Sequence, residues 1–479
     1  MGLNFPATPL LGDVYPTPAV LGVPQYTWDG EKWRAGTGSV TKGGGPVIYI
    51  SDTPPPDAID GSFWWESDTG VLYLRFNDGT STQWVVAAPQ PDVTQFVGTF
   101  VQTFTAPQQA QARSNIYAAP FDAVAFNGMQ INGGFDVAQE RGNGPAGGMP
   151  GNGWAADGNW YFAAAGGIIF NSGVTGASAS PIRGVQNYLY MVLATAKPTL
   201  AATDQAQMAH FIEGYRWARL AWGTANAQPI TIAFWSFHNI TGVYSIYVQN
   251  AAGTRSYVAP YTQRIGTVPQ YNVITVPGCT DGAWPATNVR CACVGVTLAA
   301  GSTYVAPAAN VWSAGLYMAA PGQVNAAAST PNGCFIAGFV VLPGTQAPSS
   351  DQLPFIMRPF ESELVLSQRY WEKSFGYFNY GGAAVSPGSG GCLFMGTSTS
   401  SLLGGAYEFK VRKRISPTVK IWDNNAGIGL LSAFTASGWR HGIAPVWGPG
   451  ATEVHMNTGF YALAGDNLLN FDFTADARL

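Results

Sequence analysis

TIAFWSFHNITGVYSIYVQ, Thr231 to Gln249, reads as two strands joined at Thr241-Gly242, because β-branched and aromatic residues run up to a turn signal and resume after it. The pattern repeats outward with NVITVP (272–277), CACVGVTLA (291–299) and CFIAGFVVL (334–342), and further turn signals at Ala252-Gly253 and Ala300-Gly301. Strands at this spacing, with no helical periodicity between them, predict an antiparallel sandwich. Only 10% of residues are charged, while 59 Gly, 33 Pro and 13% aromatics suit many short strands and turns. At 479 residues the chain is long enough for two to four domains.

Upstream, Tyr26 to Trp33 predicts a hairpin with a tight primed turn at Asp29-Gly30. SFWWESDTGVLYLRFNDGTSTQWVVA (62–87) predicts three strands, with turns at Asp68-Thr69-Gly70 and Asn77-Asp78-Gly79. Ala106 to Ile116 is a polar, Ala-rich helix candidate with too few apolar positions to be stable alone. Downstream, FESELVLSQRYWEKSF (360–375) reads as a helix with Glu361 and Glu363 in its first turn, where the helix dipole favours them. Strands follow at GAYEFKVR (405–412), TVKIWD (418–423) and LLNFDFTADARL (468–479), and Lys410, Arg412 and Arg414 read as charges that keep a strand edge soluble.

With a net charge of −4, the 23 Lys and Arg cannot form the dense basic footprint that nucleic acid requires. No run of about 18 apolar residues is present and the opening MGLNFPATPLLGDVYP lacks a signal-peptide pattern, so neither membrane insertion nor export is expected. Cys279, Cys291, Cys293, Cys334 and Cys392 show no CxxC spacing, and His210, His238, His441 and His455 are scattered. Buried thiols are favoured over a Cys279–Cys291 disulfide, with no metal and no cofactor. No GxSxG, Walker or HExxH motif occurs, and Glu140 beside Arg141 reads as a surface ion pair. No catalytic residues are assigned and the chain is expected not to be an enzyme.

Sugar binding suits the composition, because a pyranose C–H face stacks on Trp or Tyr while its hydroxyls pair with Asp, Asn or Arg. Two clusters fit: Trp154, Asp157, Asn159, Trp160 and Tyr161 in the sandwich, and Trp422, Asp423, Asn424, Asn425, Trp439, His441 and Trp447 near the C-terminus.

The junction Arg358-Pro359, Glu361, Glu363 and Ser367 to Lys373 resembles one common in bacteriophage tail fibres, as do Trp64-Trp-Glu-Ser-Asp-Thr-Gly70, the linker from Ala106 to Ile116 and the ending Thr474-Ala-Asp-Ala-Arg-Leu479. NGGFDVAQERG (132–142), DGNWYF (157–162) and IEGYRWARLAWGT (212–224) resemble, over about 220 residues, jelly-roll modules of the carbohydrate-binding type. The resemblance implies an all-β chain of tandem antiparallel β-sandwich (jelly-roll) domains with short helical linkers. It assigns 1–90 to virion attachment, 91–122 to a linker with a short trimeric helix, 123–350 to the jelly roll and 351–479 to a short helix plus a β tip. The implied protein is a homotrimeric tail fibre, assembled in the host cytoplasm, that joins a tail or baseplate protein through its N-terminus and binds host-surface glycan. A polysaccharide depolymerase and a structural collar or baseplate component are the alternatives.

Overall fold

The computed structural model describes residues 4–20, 23–35, 47–87, 104–116, 128–143, 149–175, 182, 184–377, 392–395, 404–423, 427–435, 438–443, 446–457 and 468–479. The chain is all-β with a few short helices and divides into two compact units, Met1–Phe104 and Thr105–Leu479. In the first unit, Tyr26–Trp28 pairs with Trp33–Ala35. Their turn is four residues long, not two, because the Asp29 carboxylate accepts the backbone N–H groups of Glu31 and Lys32 and pins a wider loop. Ile48–Ser51, Phe63–Glu66, Leu72–Asn77 and Thr82–Val86 form a second, four-stranded sheet in that order.

The second unit opens with a helix, Ala106–Asn115, whose Thr105 N–H is capped by Gln108 at 3.0 Å and whose surface is mostly exposed. Two antiparallel sheets follow. One orders Trp312–Ala314, Arg255–Gln263, Gly242–Asn250, Arg290–Ala300, Gln205–Glu213, Trp160–Ala165 and Gly153–Ala156; the other orders Gln270–Val276, Ile230–Ser236, Gly333–Pro343, Leu189–Thr195, Ile169–Val174 and Met149–Pro150. Alternation decides which side chains fill the space between them: Trp160 and Phe162 face Ile230, Ile232 and Phe234 across one apolar core.

The run CFIAGFVVL lacks alternation because both of its faces are covered. Cys334, Ile336, Phe339 and Val341 point into the core, while Val340 and Leu342 pack outward under Leu353. The parity switches at a bulge where Ala233 pairs with Val340 but Trp235 pairs with Ala337. Gly338 sits there at φ +55°, and a Cβ would come within 2.8 Å of Leu353. The outer face of the seven-stranded sheet is covered in the same way where Ala306, Met318 and Ala320 lie over Tyr247, Val258 and Cys293.

Cys279, Cys291, Cys293 and Cys334 are free and buried, and burial pushes the Cys291 and Cys334 thiols up to about 12, so they are inert packing groups. The side chain of Cys392 lies outside the described residues.

In the C-terminal part the helix is Phe360–Gln368, shorter than expected, and Trp371–Lys373 is a strand on the edge of Leu468–Asp476. That last strand is central: it also pairs with Cys392–Met395, Thr418–Trp422 and Leu431–Thr435. Phe471, Phe473 and Ala475 point inward from it. The expected boundary at residue 350 falls inside the second unit, where ion pairs bind the two sides together. Arg369 forks onto Glu213 at 3.0 and 2.6 Å, and Tyr370 donates to the same carboxylate at 2.6 Å.

Candidate functional site

The segment from Gly128 to Asp136 frames the site. Arg216 and Arg358 clamp its carbonyls, with Arg216 Nε on Met129 O at 2.9 Å and Arg358 on Gly128 O and Gln130 O at 3.1 and 3.0 Å. Asn132, at φ +55°, is held by its own amide, which accepts from Val137 N–H and donates to Val137 O and Asp157 O. Asparagine tolerates this left-handed geometry because its short amide can bond locally. A Cβ at Gly133 would lie 2.0 Å from Phe339 O, so the chain there must be glycine.

The segment turns Asp136 into a cleft of about 710 Å³ that also presents Asn143, Gln186, Asn187, Arg358, Phe360 and Tyr377. Asn143 donates to Asn187 Oδ1 at 3.4 Å and Asn187 donates to Asp136 Oδ1 at 2.8 Å. Phe360, 38% exposed, meets Tyr377 edge-on at 5.4 Å. Burial, reinforced by the charge of Glu363, raises the Asp136 pKa, against the opposing pull of Asn187. Asp136 is the single carboxylate lining this cleft among the described residues. Glu363 is committed elsewhere: it is buried, its two oxygens accepting from Arg358 at 2.7 Å and from Asn132 N–H at 2.9 Å. Glu363 keeps the first-turn place expected from the sequence and is in addition a buried ion-pair acceptor.

The sandwich cluster expected from the sequence divides by strand parity. Trp160 points into the core, 1% exposed and stacked on His210 at 4.5 Å, and Asp157 is buried, accepting Gln139 N–H at 2.5 Å. Neither faces solvent, so both leave the list of sugar-contacting groups. Trp154 and Tyr161 lie opposite each other on the outer face, ring centroids 5.0 Å apart, with the Arg478 guanidinium 4.8 Å over Trp154. That guanidinium covers a face on which a sugar would stack. Glu140 pairs with Arg478 and not with Arg141, which donates to Trp154 O at 2.9 Å.

Of the C-terminal cluster, Asp423 is buried and clamps a loop by accepting Gly427 N–H at 2.6 Å, which corrects its assignment as a hydroxyl partner. Trp422 is half-buried against Phe375. Trp439, 41% exposed, and His441, also exposed, stand two residues apart on the strand Gly438–Ile443. Ser432 Oγ lies 2.9 Å from His441 Nδ1. Asn424 and Asn425 lie outside the described residues, as does the side chain of Trp447.

Sequence reading missed the cleft around Asp136 because its groups come from four separated segments. The one signal it held was NGGFDV, whose paired glycines before an acid mark a tight backbone approach.

Buried Asp157 supplies a titration that checks the placement. Burial, then Glu140, pushes its pKa from 3.8 up to about 7. Between those values the folded chain holds a proton that the unfolded chain releases, so this residue makes stability fall as pH rises from about 4 to 7. His210 and His238, held neutral by burial with pKa near 3, act in the opposite sense below 6.5. The difference between wild type and Asp157→Asn therefore isolates the carboxylate. Relative to wild type, the variant gains stability between pH 5 and 7.5 in urea titrations; an unchanged difference would place Asp157 in water.

No protein-family model matches the sequence, and no curated protein does. Among solved structures the chain is similar to the enzymatically active domain of tailspike protein 4 of bacteriophage CBA120, at 11% identity over 47% of this chain and 24% of that one, with a TM-score of 0.25. A sugar-binding protein from Bacteroides thetaiotaomicron, so described provisionally, gives 8% identity over 45% of this chain and 99% of that one, with a TM-score of 0.26. The family 11 carbohydrate-binding module of Clostridium thermocellum, in complex with a mixed-linked tetrasaccharide, gives 9% over 42% and 98%, with a TM-score of 0.21. At such identities and scores nothing about activity passes from those proteins to this one.

Proposed function

We propose that this chain is a glycan-binding protein without hydrolytic activity, the adhesive part of a bacteriophage tail fibre that joins a virion to host-surface carbohydrate. One observation carries the binding reading: the hydrogen-bonded series Asn143, Asn187 and Asp136, with exposed Gln186, lines an open cleft beside the Phe360–Tyr377 pair. Amides and a carboxylate offer both donors and acceptors to equatorial hydroxyls, and the rings offer a surface to C–H faces. Hydrolysis calls for a second carboxylate across the sugar, and Glu363 is already held by Arg358. The tail-fibre reading rests on the junction, linker and ending quoted from the sequence. Trimerisation is supported by the helix Ala106–Asn115, whose exposed surface has too little apolar area to be stable alone. Three weak sites on one fibre would raise avidity by about 10² to 10⁴.

Asn143→Ala combined with Gln186→Ala removes exposed groups that hold no core contact. The pair is expected to weaken binding of the full chain to its best ligand on a glycan array by about 1 to 2 kcal/mol per site, with an unchanged melting temperature. Full binding by the double variant would remove this cleft from the reading. Release of reducing ends from that glycan would establish the depolymerase instead, and no binding to any glycan or host cell would favour a collar component.

A further inference from the structure

A second cleft, of about 500 Å³, opens where the sandwich meets the C-terminal part, and its charged lining is Glu213, Arg216, Arg369, Arg412, Lys413 and Arg414. Five of these side chains are cationic and one is a carboxylate, in a protein whose net charge is −4. Partners account for two of the five cations. Arg369 is forked onto Glu213, and Lys413 is bonded to Glu372. The other three guanidiniums have no carboxylate within ion-pair distance among the described residues. Arg216 donates to the carbonyls of Met129 and Gln130. Arg414 donates to those of Asn288, Ala477 and Arg478. Arg412 is exposed and bonded to no described residue.

Carbonyl partners orient a guanidinium without cancelling its charge. Three such groups around one cavity make a field that favours an anion, strengthened by low-dielectric walls. Burial, and after it the neighbouring charge of Arg358, lowers the Arg216 pKa to about 10, yet it stays charged at neutral pH. Tyr215, 62% exposed at the rim, adds a ring face, and that combination fits an acidic sugar better than a bare ion.

We propose that this cleft binds the anionic group, carboxylate or phosphate, of an acidic glycan, with Arg412 as the contacting cation and Tyr215 as the stacking surface. The inference rests on the glycan-binding reading and narrows it to charged polymers. Both clefts are lined by the helix Phe360–Gln368, through Phe360 in one and Leu366 in the other.

The test uses the full chain in affinity electrophoresis through gels containing polygalacturonate, a phosphomannan, or neutral dextran and mannan, each at low and high salt. Wild type should be retarded at least tenfold more strongly by one of the acidic polymers than by its neutral counterpart, and the preference should shrink in salt. Which acidic polymer retards it distinguishes carboxylate from phosphate. Arg412→Glu should abolish the preference, and Tyr215→Ala should weaken it several-fold, both with wild-type melting temperatures, since neither side chain is buried. Equal retardation by acidic and neutral polymers overturns the inference while leaving glycan binding standing. A preference that survives Arg412→Glu overturns it as well, and inorganic phosphate displacing the polymer at equal molar charge reduces the site to a general anion site. No retardation by any polymer, together with failure on the glycan array, counts against both readings.

Discussion

Lys413→Met lowers the free energy of unfolding by about 3 to 5 kcal/mol, because it leaves a buried carboxylate without its cation. Lys413 and Glu372 are both fully buried, Nζ standing 2.5 Å from Oε2, and Glu372 Oε1 accepts Lys410 N–H at 3.0 Å. Burial lowers the Lys413 pKa more than Glu372 restores it, so the pair itself adds little over an apolar substitute. Its members are costly only when separated. Two consequences distinguish this from ordinary loss of packing. The double variant Lys413→Met, Glu372→Leu should regain most of the loss. In the single variant the stranded Glu372 must take up a proton, so its deficit relative to wild type should narrow as pH falls toward 4. Urea unfolding at pH 7.5 and 4.5 measures both. A single-variant loss below 1 kcal/mol would mean that water reaches Glu372.

The sandwich was legible in the sequence because its signal is local. The β-branched and aromatic runs TIAFWSF and VYSIYVQ, punctuated at Thr241-Gly242, need only neighbouring residues to be read, and both strands form. The helix at 360–375 was legible only as far as Gln368. Trp371–Lys373 is drawn into a strand by Leu468–Asp476, about a hundred residues away, and no local pattern announces such a partner. Charges were read least well. Lys413 sits between Arg412 and Arg414 as one basic run, yet Lys413 is buried, Arg414 is half-buried on carbonyls and Arg412 is exposed. Their fates depend on which carboxylate the fold brings near, and Glu372 comes from a segment about forty residues upstream. The aromatics divided on parity: Tyr161 and Trp160 are adjacent in the chain and face opposite sides of one sheet.

That division makes Trp160→Ala the sharpest check on where sugar does not bind. Trp160 packs edge-on against Phe135 at 5.0 Å and Phe339 at 5.1 Å, lies parallel to His210, and donates its indole N–H to Ile131 O at 3.0 Å. Truncation opens a cavity among rings fixed by two sheets and leaves the Ile131 carbonyl unpaired in the core. A cost of about 3 to 5 kcal/mol follows, at the upper end for a buried aromatic. Trp160→Phe keeps much of the volume and loses mainly the hydrogen bond, so about 1 to 2 kcal/mol is expected. Both variants should bind glycan like wild type per folded molecule, measured well below their unfolding midpoints, because the ring reaches neither cleft. The pair Asn143→Ala, Gln186→Ala should do the reverse, losing ligand while unfolding at the wild-type urea concentration. If Trp160→Ala instead kept wild-type stability and lost binding, the ring would have to stand in solvent on the other face of its strand. The pairing of Trp160 with His210 would then be out by one residue along the whole strand.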